Sequence, residues 1–332
     1  MLNTSKLLAD YSILHVLCAL QKGNVFAVLK ENSAGIIVQD IATELSLDST
    51  ILEALCDFLI INVPEILAKE NEKYILKNFF YDKRFQNTLF FALAYESVFS
   101  NTASLLKKEV RYGQDVIRDG EYLGISSALY NKRAWDAVIN LLRSMEVSTI
   151  VDLGCSIGDF LARVQKNFPR MCSIGVEVDP VAAAIAQETL SSRSDQEVLI
   201  IDGDAATPEI WKDSIMQKGN PSGTLFIGIT MWHEFLYKGE QHLLDIFFQY
   251  RTLFPGSTFV VVEYNGFSVP ETMLLPESRR ESASVYQLVH PLTQQGLPQS
   301  PSKWRGLLEK SGMRLEKTIS VYPNTTIYVA TL

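Results

Sequence analysis

The chain has 332 residues, 47% of them hydrophobic and 20% charged, which predicts about two domains, with a sizeable core, at roughly 100–200 residues per domain. That balance excludes a disordered chain. The net charge of −8 argues against sequence-independent nucleic-acid binding, which runs on phosphate neutralisation, although it leaves room for a local basic patch. Cys18, Cys56, Cys155 and Cys172 form no CxxC pair. This argues against a zinc ribbon or a disulfide framework and predicts a reduced, cytoplasmic setting. MLNTSKLLADYS lacks a basic region followed by an apolar one, so no signal peptide is expected. The most apolar runs, LFFALAYESVF among them, fall short of the about 20 residues that a bilayer span needs, so no membrane association is expected.

Residues 1–85 read as a compact, mainly helical domain. ILHVLCALQKGNVFAVLKE has apolar residues at helical spacing. QDIATEL, a turn at Ser46, TILEALCDFLII and a strand-like piece ending at Tyr74 follow the order helix, turn, helix and wing. That order suggests DNA reading. However, the second helix offers Glu53 and Asp57 and no Arg or Lys, and phosphate contacts need cations. A dimerisation or substrate-covering module is the favoured reading, with His15 packed inside it. Residues 86–147 read as a helical connector, in which RYGQDVIRDGEYLG separates two amphipathic stretches.

From residue 148 to 332 the pattern changes to strands alternating with helices. STIVDLGC, SIGVEVD, EVLIIDGD, TLFIGITM and STFVVVEYNG read as strands, with helices at DFLARVQKNF, PVAAAIAQETLSS and GEQHLLDIFFQYRTLF. This alternation predicts a parallel sheet covered on both faces. A helix at SKWRGLLEKSG precedes MRLEKTISVY and TTIYVATL. These two runs are separated by the turn signal Pro323-Asn324 and read as a terminal hairpin added to the sheet.

VDLGCSIGDFL follows a strand and opens a helix. Gly154 and Gly158 let the backbone turn sharply beside a ligand, with the helix N-terminus facing it. It is neither GxGxxG nor a P-loop. About twenty residues further on, Glu177 ends a strand, where a carboxylate can accept two ribose hydroxyls. Asp204 follows a third strand and is placed to meet an adenine amino group.

VDLGCSIG, GVEVD and IIDGDA, in this order and spacing, resemble the S-adenosylmethionine-dependent methyltransferase family. The resemblance covers roughly residues 130–332. It implies an α/β fold with a Rossmann-like seven-stranded class I sheet whose last strand is antiparallel. It also implies that Asp152, Gly154 and Gly158, with loop residues Cys155 and Ser156, line the methionine end of the cofactor. Glu177 would hold the ribose, and Asp204 and Ala205 would flank the adenine. DIATELSLD and YILK resemble the winged-helix dimerisation domain of small-molecule O-methyltransferases, which implies a homodimer and a small-molecule acceptor. By the same likeness, MWHEFLYKGEQ places His233 where those enzymes carry a catalytic histidine, as general base toward an acceptor hydroxyl.

Glu263 and His290 complicate simple O-methylation. Two imidazoles with open positions suit a catalytic ion such as Fe or Zn. HPLTQQGLP downstream of WHE is similar to a narrower group, the metal-dependent C-methyltransferases of 2-oxo acids. This implies His233 and His290 as metal ligands, a Lewis acid stabilising an enolate, and methylation at the β-carbon. On that reading Glu234 is a base, an outer-sphere group or a ligand, and Glu263 is a ligand or orients a histidine. Arg111 and Arg118 are candidates to hold an acceptor carboxylate. Tyr130, Trp135 and Trp232 are candidates for the walls of an apolar acceptor pocket. His242 is expected at the surface. The readings kept open are metal-assisted C-methylation, metal-free O-methylation, and a winged-helix regulator or non-catalytic protein that only binds S-adenosylmethionine.

Overall fold

The computed structural model describes residues 3–191, 198–218, 221–321 and 324–332. Pro323 of the expected closing turn lies outside the described residues. The chain divides into two compact units, Met1–Ala94 and Tyr95–Leu332, and the division falls inside a single helix.

The first unit contains α1 (Thr4–Lys22), α2 (Val25–Glu31), β1 (Ile36–Ile37), α3 (Val38–Leu45), α4 (Ser49–Asn62), β2 (Leu67–Glu70) and β3 (Lys73–Leu76). The Asn3 side chain caps α1 by accepting the Lys6 N–H. Asp48 caps α4 by accepting from Thr50 and Ile51. Both satisfy N–H groups that a helix start leaves unpaired. The strands pair in the order β1-β3-β2, all antiparallel. Asn71 and Glu72 have φ of 47° and 64°, the left-handed pair that a tight two-residue hairpin requires. The two acids weighed against DNA contact hold this unit together: Glu53 accepts from Lys69 at 3.1 Å and Asp57 from the Tyr74 hydroxyl at 2.7 Å. His15 is exposed rather than packed inside, with its ring edge-on to Tyr11.

The helix that carries the division is α5 (Lys83–Ser100), and α6 (Thr102–Leu106) and α7 (Gly120–Leu142) follow. The second unit then alternates β4 (Thr149–Leu153), α8 (Asp159–Asn167), β5 (Cys172–Glu177), α9 (Pro180–Ser191), β6 (Val198–Asp202), α10 (Pro208–Met216) and β7 (Thr224–Ile229). Next come α11 (Glu240–Leu253), β8 (Thr258–Tyr264), α12 (Val269–Met273), α13 (Glu277–Leu292), α14 (Pro301–Lys310), β9 (Arg314–Val321) and β10 (Thr325–Thr331). All seven strands expected from the sequence form one sheet in the order β6-β5-β4-β7-β8-β10-β9. β4 to β8 are parallel, and β10 is antiparallel to both β8 and β9.

Alternating strand residues point to opposite faces, and two cores result. Val151, Leu153, Ile174, Phe226, Phe259 and Tyr328 face Trp211 of α10, Phe247 of α11 and Trp304 of α14. Ile150, Leu225, Ile227, Val260 and Ile327 face Val138 of α7, Phe160 of α8 and Ala186 of α9. Three layers bury both sheet faces, which is why the β7, β8 and β10 sequences are apolar runs rather than strict alternations. From β4 the chain moves outward to β6, then returns to place β7 on β4's other side. The carboxyl ends of β4 and β7 therefore flank a crevice, where open α/β sheets bind ligands. Among the described residues no single helix is long and apolar enough to cross a membrane, although α1 and α2, bent by 69°, pass together by length and composition.

Candidate active site

The loop after β4 turns left-handed at Gly154 (φ 70°), Ser156 (φ 51°) and Gly158 (φ 82°). A Cβ on Gly158 would lie 3.2 Å from the Ala186 backbone, so glycine there lets α8 start directly against α9. Glu177, at the end of β5, ties the loop down: its carboxylate accepts from Ser156 N–H at 2.7 Å and from Val178 and Asp179 N–H at 3.0 Å. Burial raises its pKa, and these N–H donors offset only part of that rise. Asp152 is buried beside it and is pushed well up, by burial first and then by the charge of Glu177. The Cys155 thiol lies in the core against the bare Cα of Gly175, where an added Cβ would sit 2.6 Å from the sulfur. Asp204 is exposed and accepts the Ala206 N–H at 2.8 Å.

Beyond β7 the chain folds back on itself. Thr230 takes φ 57°, and a 3-10 helix spans Trp232–Lys238. The Trp232 indole packs on Gly228, where a Cβ would approach Nε1 to within 2.3 Å. The fold-back brings His233 over β8. Its backbone N–H reaches Glu263 Oε1 at 3.2 Å and its Nδ1 faces Glu263 Oε2 at 2.7 Å, with both side chains fully buried. His290, near the end of α13, presents Nε2 to His233 Nε2 at 2.8 Å, and its Nδ1 meets the Tyr286 carbonyl.

The partners fix the tautomers. A carboxylate and a carbonyl only accept, so both Nδ1 atoms carry protons. In the neutral rings, both Nε2 atoms then hold lone pairs, 2.8 Å apart. Two lone pairs at that separation repel, and a positive charge between them removes the conflict. Burial, the largest single effect, favours a neutral His233, but the charge and hydrogen bond of Glu263, together with the charge of Glu234, raise its pKa. His290 is pushed down to about 3, by burial first and then by the charge on His233.

Around this pair, Arg118 Nη1 meets Glu234 Oε1 at 3.3 Å. Burial would lower the Arg118 pKa, but Glu234, Tyr95 and Tyr112 hold it well above the ordinary value. Tyr286 lies edge-on to His290 with centroids 4.4 Å apart.

The structure therefore brings together His233, Glu234, Glu263, His290 and Arg118, and it redirects several expectations. Glu263 faces Nδ1 of His233, so it orients the ring and does not join the two Nε2 atoms as a third ligand. Glu234 is paired with Arg118 rather than free. Arg111 is exposed; its backbone N–H, not its guanidinium, binds Asp115. Trp232 is core, with no exposed surface. Trp135 packs against the Phe160 ring and the α7 side of the core. Tyr130 is exposed on α7, edge-on to Tyr264. His242 is half-buried, and its Nε2 is enclosed without a partner. Among the described residues, no three His, Cys, Asp or Glu side chains are grouped to hold a metal ion.

Gly296 was missed. Its N–H donates to the Glu234 carbonyl at 3.0 Å, and a Cβ there would lie 2.2 Å from the His233 carbonyl oxygen. The signal was the glycine inside HPLTQQGLP: that segment straps over the His233 turn, and Gln299 then accepts from Gly266 N–H at 2.9 Å.

Fold and crevice define a class I methyltransferase, with a mostly parallel seven-stranded sheet closed by antiparallel strands. Residues 126–314, more than half of the chain, match the family described as O-methyltransferase domain. The chain belongs to that family and is an S-adenosylmethionine-dependent methyltransferase. Among solved structures, human N-acetylserotonin methyltransferase in complex with SAM is similar over 100% of this chain and 98% of its own, with TM-score 0.68 and 15% identity. The mitomycin 7-O-methyltransferase MmcR is similar over 99% and 97%, with TM-score 0.69 and 15% identity. PigF with SAH is similar over 100% of both chains, with TM-score 0.72 and 13% identity. At these identities the likeness is one of fold. No curated protein matches by sequence.

Gly296→Ala is expected to destabilise the second unit by about 1–3 kcal/mol, the usual cost of overpacking, because the atom it meets is backbone. Urea unfolding of the full chain measures this. An unchanged midpoint would show that the strap yields.

Proposed function

We propose that the enzyme transfers a methyl group from S-adenosylmethionine to a hydroxyl oxygen of a small molecule, with His233 as general base. The observation that carries this reading is the 2.7 Å bond between Glu263 and His233 Nδ1. It holds the proton on Nδ1 and leaves Nε2 as the basic atom at the carboxyl end of the sheet. The cofactor loop adjoins this turn: a Cβ on Gly154 would lie 3.7 Å from the Met231 side chain.

The residues present fit the cofactor. Glu177 keeps one lone-pair site, on Oε2, for a ribose hydroxyl, Asp204 and Ala205 flank the adenine, and exposed Val178 offers it apolar contact. Asp152, Gly154 and Gly158, with the backbone of Cys155 and Ser156, border the methionine end. When bound, the cofactor supplies an electrophilic methyl on a sulfonium. Nε2 of His233 removes the acceptor's hydroxyl proton as the oxygen–carbon bond forms and the sulfur–carbon bond breaks. His290 Nε2 is close enough to share that proton. Arg118 and Glu234 orient polar groups of the acceptor.

A second reading is favoured by one observation, the two Nε2 atoms that meet with both Nδ1 atoms engaged. The same pair would hold a metal ion, which would supply Lewis acidity to a 2-oxo acid whose carboxylate Arg118 holds. The outcome on this reading is C-methylation. The family match favours the oxygen acceptor.

Isotope-labelled S-adenosylmethionine, offered with phenols, alcohols and 2-oxo acids with and without a chelator, separates the two. Label on an oxygen, indifferent to chelator, is the expected result. Label on the carbon of a 2-oxo acid, lost with chelator and restored by metal, would overturn it in favour of the second reading.

The N-terminal unit supports a homodimer. Leu7, Leu8, Tyr11 and Leu14 line one stripe of α1 and are 57%, 67%, 63% and 40% exposed, an apolar surface that water disfavours. The four cysteines are scattered with no CxxC pair, a usage that supports a cytoplasmic setting. Sedimentation velocity is expected to give a dimer for the native chain and a monomer for Leu8→Glu/Tyr11→Glu. A native monomer would contradict the assignment.

A further inference from the structure

Thr230 stands in a conformation that suits it badly. A β-branched residue with positive φ is a true outlier, and such strain persists only where the surroundings over-determine it. Glycine would adopt the same backbone freely. The threonine side chain, however, makes a contact that glycine cannot. Its hydroxyl is hydrogen-bonded to the Tyr264 phenol, and that phenol donates to Asn131 Oδ1 at 2.7 Å. Tyr264 and Asn131 are both buried, on β8 and α7 respectively. The Thr230 N–H donates to the Val262 carbonyl at 2.7 Å, which continues the β7–β8 ladder one residue past the strand.

The two ends of this chain of contacts bear on both histidines. Thr230 is three residues before His233, at the point where the backbone leaves the sheet and doubles back toward Glu263. Tyr264 directly follows Glu263, and its ring lies edge-on to Tyr286 at 5.2 Å between centroids. Tyr286 in turn lies against His290 and accepts its Nδ1 proton through its carbonyl.

We propose that Thr230 is a positioning residue. Its hydroxyl, anchored through Tyr264 to Asn131, holds the left-handed turn that sets His233 Nδ1 on Glu263 and Nε2 on His290. Strain in the turn is retained because the anchoring hydroxyl is worth more to the site than a relaxed backbone. The inference rests on His233 being the residue that acts on the acceptor. It does not depend on whether oxygen or carbon is methylated.

The test reads ring geometry directly, so its failure is separate from any failure to find the acceptor. The chain has 4 histidines, so histidine-labelled protein gives an assignable spectrum. A buried Nδ1 proton held on a carboxylate gives a low-field resonance. Thr230→Gly is expected to leave the melting temperature within about 3 °C of the native value, since glycine relieves the turn, yet to lose or shift the His233 Nδ1 proton signal. Thr230→Ser keeps the hydroxyl and is expected to retain the signal. Tyr264→Phe removes the anchor and is expected to behave as Thr230→Gly. An unchanged His233 signal in Thr230→Gly would overturn the proposal. If Thr230→Gly fails to fold, an unchanged signal in Tyr264→Phe would overturn it equally.

Discussion

Glu263 accepts two hydrogen bonds from one residue, His233, through its backbone N–H and its Nδ1. The rest of the site depends on this. A buried carboxylate is costly unless its oxygens are engaged, and here the chain must double back after β7 to engage them. That demand explains the neighbours. Gly228 has no Cβ because Trp232 must lie on it, Gly296 has none because its backbone must press on the His233 carbonyl, and Thr230 is left-handed because the turn must be abrupt. The parallel sheet supplies the other half, since it sets the glycine-bearing loop after β4 beside the end of β7.

The electrostatics follow from the same contact. Glu263 raises the His233 pKa against the effect of burial, and His233 in turn lowers that of His290. One imidazole is therefore biased toward taking a proton and the other toward remaining a lone-pair donor facing it. A base that has just accepted a proton is well served by such a neighbour. So would a metal ion be, which is why the paired rings bear on both chemistries while the Glu263 contact bears on His233 alone.

Much of this was legible in the sequence. The β-branched runs ending in glycine or an acid gave the parallel strands, because strands buried on both faces must be apolar throughout. The terminal hairpin was visible from the turn signal between two strand-forming runs, and the acids from their place at the ends of the strands. HPLTQQGLP drew attention to His290, though through a likeness to 2-oxo acid C-methyltransferases that the family match does not support. What could not be read depends on close approach across long separations. Arg118 and Glu234 lie 116 residues apart, and nothing local marks either as the other's partner. Trp232 looked like a pocket wall because the hole above Gly228 that receives it exists only once the chain folds back. The division between the units leaves no mark either, since α5 runs unbroken through it. Thr230 is an ordinary strand former by type, and only its observed φ reveals the turn.

The most direct measurement is the pH profile of methyl transfer for the native enzyme and for Glu263→Gln. A base must be neutral to act, so activity is expected to rise with pH through a midpoint above the ordinary histidine value of 6.5, the direction in which Glu263 shifts His233. Glutamine keeps an acceptor for Nδ1 but removes the negative charge that favours the imidazolium. The rising limb is therefore expected to move to lower pH, with a smaller maximal rate. A limb that stays in place in Glu263→Gln would contradict the assignment of His233 as a base tuned by Glu263.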